Sequence, residues 1–313
     1  EYNAVDASLW FIDSVLQYVK YTNDFKFVRE RLWNTLTSII ERYSHGTLYG
    51  IGVDEDGLLI HGSQLTWMDV IVEGKPITSR KGKAVEIQSL WYNALKTMHL
   101  LSTHLNLKEK AEEYLAMAEK AEKSFIREFW NEDEGCLYDV ANKEIRDATL
   151  RPNQIIAIAL DFSMLDRKKA EKIVKKVWQG LWGTYGLKTL PENDPRYIGV
   201  YSGNRVQRDM AYHNGTVWAW LLGPFVRAFL KVKGYERHWR KFAFHNFLKP
   251  LFQEELLRAG VGNISEIFDG DPPHKPRGCI AQAWSVAEPL RAYIEDVMMK
   301  RPPYEQQILG EKE

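Results

Sequence analysis

Two carboxylates in this chain stand in surroundings suited to acid–base chemistry. Asp69 closes the run Ser63-Gln64-Leu65-Thr66-Trp67-Met68-Asp69. Its neighbours Trp67 and Met68 are apolar, and burial among them raises a carboxyl pKa and keeps the group protonated, as a general acid requires. Ending a turn or capping a short helix is the other use of an aspartate in such a place. Glu266 lies in Gly262-Asn263-Ile264-Ser265-Glu266-Ile267-Phe268-Asp269-Gly270-Asp271-Pro272-Pro273, a loop rich in turn formers. Polar neighbours such as Asn263 and Ser265 would hold it ionised, ready to take a proton from water. A surface acidic loop, or a cation site made by Asp269 and Asp271, is the alternative. One protonated carboxyl for a leaving oxygen and one carboxylate across the scissile bond are what glycoside hydrolysis needs. Sequence spacing does not supply the separation that distinguishes inversion from retention.

A second set of polar residues opens apolar stretches: Asp6, Glu86, Arg151, Asn153, Gln154, His213, Asn214 and Gln282, with Trp10, Trp91, Trp218 and Trp284 close behind. Hydroxyl groups call for such donors and acceptors, and sugar faces for aromatic platforms; helix caps and core filling are the ordinary uses of the same residues. The chain has 11 Trp in 313 residues. Other chemistries are poorly served. The 8 His include no HExxH, and no Cys/His set has zinc spacing. The Asp54-Glu55-Asp56-Gly57 turn lacks the remaining ligands of a calcium loop, and residues 183–186 lack the lysine of a phosphate loop. Cys136 and Cys279 have no neighbouring histidine and read as buried thiols in a reducing compartment. Lys+Arg and Asp+Glu both number 42, so the balance argues against a nucleic-acid binder. No apolar run is long enough for a membrane span and no signal peptide is visible, so a cytoplasmic protein is expected.

The elements that must position these residues are helical. Leu9, Ile12, Val15, Leu16 and Val19 mark a helix over 5–21; a second follows Asn23, read as its N-cap. Further helices are expected near 85–104, 108–130, 153–164, 166–180, 214–232, 235–258 and 280–299. Strand signals are few, chiefly a hairpin about the turn at 54–57. Some helices carry a Lys/Glu face, as in KEKAEEYLAMAEKAEKSF and DRKKAEKIVKKVW. Others are apolar almost all round: VDASLWFI, VEIQSLWYNAL, RPNQIIAIAL, YHNGTVWAWLL and AQAWSVAE. A helix without a wet face is buried on most sides. The alternation predicts an all-α toroid, an inner ring of helices inside an outer one. The polar starts then share one end with the long segments 45–84, 131–152, 183–213 and 260–280. No linker divides the chain; residues 1–300 read as one domain and 301–313 as a frayed, polar tail.

The segments QLTWMDV, VEIQSLWYNAL, LRPNQIIAIAL, RDMAYHNGTVWAWLLGPFV and ISEIFDGDPPHKPRGCIAQAWSVAE resemble the C-terminal amylo-α-1,6-glucosidase domain of archaeal and bacterial-type glycogen debranching enzymes. The likeness runs in order from Tyr2 to about Arg291. It implies an (α/α)6 barrel of the six-hairpin glycosidase type, acting on branched α-glucan such as glycogen or a limit dextrin. The implied reaction is inverting hydrolysis of α-1,6-linked glucose at branch stubs, without metal or cofactor. The implied general acid falls on Asp69 and the general base on Glu266, with Asp209 and Arg208 in reserve. Substrate contacts fall on Asp6, Trp10, Trp67, Glu86, Trp91, Arg151, Asn153, His213, Trp218, Gln282 and Trp284. The departure is at the front, where family members carry an upstream β-rich domain and a further helical pair. Five inner and four outer helices are read here, so a ring lacking its first hairpin is expected. A split or non-catalytic glucan-binding fragment that needs an upstream segment is the alternative, as is a related six-hairpin α-glucosidase or trehalase-like enzyme.

Overall fold

The computed structural model describes residues 3–142 and 144–310, so Tyr2 and residues 311–313 of the expected tail lie outside the described residues. Helices run in the order α1 (Ala7–Thr22), α2 (Phe25–Phe27), α3 (Trp33–His45), α4 (Val85–His104), α5 (Lys108–Phe129), α6 (Ile156–Ala159) and α7 (Arg167–Leu181). They continue with α8 (Arg205–Ala211), α9 (Leu222–Val232), α10 (Arg237–Ala243), α11 (Lys249–Gln253), α12 (Ala283–Arg291) and α13 (Glu305–Leu309). Helix accounts for 54 % of the structure and strand for 10 %, which bears out the all-α reading.

Inner and outer helices differ as the patterns require. Helix α4 is buried without interruption from Val85 to Leu95, because neighbours enclose it. Helix α5 buries Ala111, Tyr114, Ala118, Ala121, Phe125 and Phe129 at helical spacing and turns its Lys/Glu face outward. Helix α7 does the same with Ala170, Ile173, Val174, Val177 and Leu181, and Asp166 caps its start by accepting from Lys169 N at 2.9 Å. Around the inner ring, α1 packs on α4, α4 on α6, α6 on α9 and α9 on α12.

The ring does not close. Inner helices α4, α6 and α9 are enclosed, whereas α1 leaves Phe11 and Tyr21 exposed and α12 leaves Ala283, Ala287 and Leu290 exposed. These bare faces belong to the two ends of the inner row, where a sixth inner helix would stand. The seam is bridged at the end where these helices finish. There Tyr21 Oη donates to Glu295 at 2.6 Å, Tyr304 N donates to Lys20 O at 3.0 Å, and Glu305 pairs with Lys20 at 2.8 Å. Residues 301–310, read as frayed, thus pack against α1 through α13, with Ile308 buried.

Several boundaries move for local reasons. Asn23, expected to start the second helix, instead ends α1 in the left-handed conformation at φ 56°, and Asp24 caps the next helix by accepting from Phe27 N. The expected 153–164 helix shrinks to a 3₁₀ turn, Pro152–Ile155, plus α6. Lys231 Nζ satisfies the carbonyls at its end, donating to Ile158 O at 2.9 Å and Ala159 O at 3.2 Å. The expected hairpin forms, with Gly52 opposite Ile60. Strands not read from the sequence lie just after α7 and ahead of α9 and α12. Trp182–Gly183, Gly186–Lys188, Val217–Trp218, Ile267–Phe268 and Pro276–Arg277 pair antiparallel in that order. The segment ahead of α9 is therefore laced to the Glu266 loop, Trp218 facing Ile267. No helix among the described residues is long and apolar enough to cross a membrane.

Candidate active site

The starts of the inner helices meet at one end of the ring, as their polar residues foretold. Asp6 stands before α1 and Glu86 in the first turn of α4. Burial, and then the charge of Glu86, push the Asp6 carboxyl up to about 6; Asp69 adds to the same effect. These three acids therefore share one field. Asp69 itself reaches solvent, yet the atoms packed around its carboxyl push its pKa above the usual carboxylate value. No cation pairs with it among the described residues.

Trp67, two residues before Asp69, is fixed by a relay of polar groups. Its Nε1 donates to Asn153 Oδ1 at 2.9 Å, and Asn153 Nδ2 donates to Asp139 Oδ1 at 2.8 Å. Asp139 is gripped by Arg80 Nε at 2.7 Å, and Arg80 Nη2 also reaches Glu86 Oε2 at 2.6 Å. All four polar members of this relay are buried, so each charge is matched or hydrogen-bonded where water is absent. The Trp67 ring stands edge-on to His213, Trp218 and Trp220 at 5.5, 5.0 and 5.2 Å, and Trp220 stacks on Trp284 at 5.1 Å. The indole nitrogens of Trp220 and Trp284 and both ring nitrogens of His213 have no hydrogen-bond partner. Burial, and then Arg151, drive the His213 pKa far down, so the ring is neutral. The result is an aromatic wall with unspent donors.

Glu266 is joined to this wall through Tyr212. The Tyr212 hydroxyl donates to Glu266 Oε1, and the Tyr212 ring lies 5.0 Å from that of Trp218. Cys279 N donates to Glu266 Oε2 at 2.9 Å. The holders are thus not the neighbours read from the sequence, since Ser265 Oγ turns away to Glu255 at 2.9 Å. The proposed cation site is filled by protein: Arg277 clamps Asp269 at 2.9 and 3.0 Å, and Tyr197 donates to Asp271 at 2.9 Å. No group of three or more His, Cys, Asp or Glu among the described residues is arranged to hold a metal.

Of the other site residues read from sequence, most converge here. Arg151 is buried and donates to His213 O at 2.8 Å and Thr189 O at 3.1 Å, shaping the backbone behind the wall. Gln282 caps α12 by accepting from Ala283 N at 3.1 Å. Trp10 is half-buried on α1, packed against the core. Glu86 is engaged by Arg80 and is closed to a substrate hydroxyl while that pair holds. Trp91 does not join the wall. It is fully buried against Tyr43, its Nε1 donating to Gly57 O at 3.2 Å. Asp209, the reserve base, pairs with Arg205 at 3.5 Å on α8. Cys279, expected to be buried, is exposed, while Cys136 is buried as expected.

Sequence reasoning missed Arg80, Asp139, Tyr212 and Trp220. Trp220 and Tyr212 sit within YHNGTVWAW beside residues that were singled out; Arg80 and Asp139 carry no local signal. A cavity of about 930 Å³ lies elsewhere. It opens at the opposite end, lined by Asp161, Arg227, Lys231, Tyr235 and Arg301, where the inner helices finish. Its Asp161, Arg227 and Arg301 are paired with Lys20, Glu295 and Asp296 behind the lining.

The chain matches the amylo-alpha-1,6-glucosidase family over residues 1–291. A glycogen debranching enzyme of Saccharomyces cerevisiae is 27 % identical over 57 % of this chain; the matched part is 15 % of the yeast protein's length. Among solved structures, a sialidase covers 92 % of this chain with 26 % of its own, at a TM-score of 0.70 and 14 % identity, a likeness of fold alone.

Proposed function

This chain belongs to the amylo-alpha-1,6-glucosidase family, and on that footing we propose that it forms the catalytic ring of a glycoside hydrolase releasing α-1,6-linked glucose from branch stubs of glycogen or a limit dextrin. The observation that carries the reading is the contrast between two carboxyls: Asp69, two residues from Trp67 of the aromatic wall, and Glu266, bonded to that wall through Tyr212. Asp69 has no paired cation and a raised pKa, which suits a proton donor. Glu266 accepts hydrogen bonds from a phenol and an amide, one on each oxygen, which fix the carboxylate in place for a base. Asp69 protonates the glycosidic oxygen, and Glu266 takes a proton from the water that attacks the anomeric carbon. Trp67 and Trp284, both partly exposed, supply aromatic faces for the sugar ring, with Asp6 and Gln282 as polar groups beside them. Trp218, His213 and Asn153 are buried and back this wall from behind. Direct displacement by water inverts the anomeric centre, so β-glucose is the first product.

Glucose release from branched limit dextrin tests the assignment. Asp69→Asn and Glu266→Gln each lose about 10²–10⁴-fold in kcat with the fold intact. Near wild-type release by either variant overturns the role given to that residue, and α-glucose as first product overturns inversion. Comparing branched dextrin with trehalose separates this reading from a trehalase-like one.

The open seam favours an addition to this reading. Leu290 on α12 is 50 % exposed and Phe11 on α1 is 38 % exposed, apolar surface on the two end helices of the row that suits a helical hairpin from an upstream segment or polypeptide. Rescue of a weak activity on adding that segment supports the addition; full activity of the chain alone removes it. We assign a cytoplasmic setting, supported by the two free thiols.

A further inference from the structure

We infer that Tyr212 is a positioning residue for the base, the working part of a clamp made by Tyr212, Gly278 and the Cys279 amide, an inference that rests on the role proposed for Glu266. Each carboxylate oxygen of Glu266 has its own donor, the Tyr212 hydroxyl on Oε1 and Cys279 N at 2.9 Å on Oε2. The backbone ties the same two strands, since Glu266 N donates to Cys279 O at 2.9 Å. Gly278 is the floor. Its φ of +66° is one that side chains rarely adopt, and a Cβ there would collide with Glu266 Oε2. A carboxylate held at both oxygens cannot rotate about its last bond, so the lone pairs left over point in fixed directions. One of them must receive the proton of the attacking water.

Tyr212 is itself held on several sides. Its ring touches Tyr201 at 5.7 Å, His213 at 4.8 Å and Trp218 at 5.0 Å, while its carbonyl accepts from Trp218 Nε1 at 3.3 Å. Burial, and then Glu266, push the phenol pKa upward, so the hydroxyl remains a donor across the working pH range. The sugar wall and the base therefore share one rigid piece. Trp218 that lines the wall also braces the tyrosine that aims the carboxylate. Loss of the hydroxyl alone leaves the wall in place and lets the carboxylate turn.

The test is Tyr212→Phe in the full chain, assayed on branched limit dextrin and on α-glucosyl fluoride, whose leaving group needs little protonation. The expected result is a 10–100-fold fall in kcat with KM within about twofold, by the same factor on both substrates. An acid variant, Asp69→Asn, instead recovers much of its rate on the fluoride. Gly278→Ala, which forces the carboxylate aside, follows Tyr212→Phe in losing kcat on both. In a Glu266→Gln background, Tyr212→Phe adds no further loss, because the group it aims is gone. Full kcat in Tyr212→Phe while Glu266→Gln is inactive overturns the clamp alone. An active Glu266→Gln overturns the base assignment beneath it. A fall seen as KM rather than kcat makes Tyr212 a substrate contact and also overturns the clamp.

Discussion

The two ends of the ring spend their charges differently. Where the inner helices finish, carboxylates meet cations: Lys20 with Asp161 at 2.8 Å, Arg227 with Asp296 at 3.2 Å and with Glu295, and Arg291 and Arg301 with Asp296 at 3.2 Å each. Against burial, which acts the other way, Lys20 and Arg227 hold the Asp161 carboxyl far below the usual range. Where the inner helices start, Asp6 and Asp69 have raised pKa values and Glu266 is held by neutral donors. Glu86 and Asp139 there share Arg80, and Asp269 is clamped by Arg277. Paired charges fix the ring at one end, with Asp13 beside Asp161 as the exception, pushed up to about 6 by burial and then by Asp161. At the other end Asp6 is raised to about 6 and Asp69 is raised with no cation beside it. A chain of zero formal charge thus separates structural from reactive charge by placement alone.

The largest effect expected from this comparison is a crossing of phenotypes. Glu266→Gln abolishes glucose release and leaves stability within about 1 kcal/mol, as the isosteric amide keeps most of the packing. Arg227→Met does the reverse, costing up to about 3–5 kcal/mol because the buried Glu295 and Asp296 lose their buried cation and keep only the partly exposed Arg291 and Arg301. Urea denaturation beside a glucose assay checks both; a stability loss in Glu266→Gln as large as in Arg227→Met would erase the distinction between the ends.

A smaller effect tests the signs of the shifts. The folded Asp6 carboxyl titrates at about 6, against about 3.9 unfolded. The folded state binds more protons between those values, so this group makes stability fall as pH rises from about 4 to 6. Asp161 is shifted down, so its contribution is present above about pH 4 and is lost as pH falls. Asp6→Asn should flatten the first slope and Asp161→Asn the second. Urea midpoints from pH 3 to 7 give the answer, and the same sign for both variants would refute the contrast. The smallest effect belongs to neither end. Glu113→Ala, which removes a surface partner of Lys110 at 2.9 Å, should change stability by less than about 0.5 kcal/mol.

Helix geometry explains which site residues were legible. Asp6 and Trp10 lie four apart, about 40° around a helix, and both belong near the same face. Glu86 and Trp91 lie five apart, about 140° around, so when Glu86 turns to Arg80 the indole of Trp91 must turn into the core. Reading Trp91 as a sugar platform counted residues along the chain and ignored the rotation. Tyr212 escaped notice because its partner, Glu266, comes from another segment, and a phenol among aromatics looks like packing. The exposure of Cys279 escaped it because the loop that carries the thiol is shaped by the bonds to Glu266.

By itself the sequence determined the helices, their division into enclosed and half-wet kinds, and the end of the ring where polar starts and long loops gather. Those features follow from burial acting on neighbouring residues, which leaves a period in the chain. The motifs also singled out Asp69 and Glu266. Tertiary structure alone decided that Arg80 takes Glu86 and Asp139 and that Tyr212 and Cys279 hold Glu266. Partner choice among buried polar groups depends on atoms brought together from distant segments, and no local pattern records it.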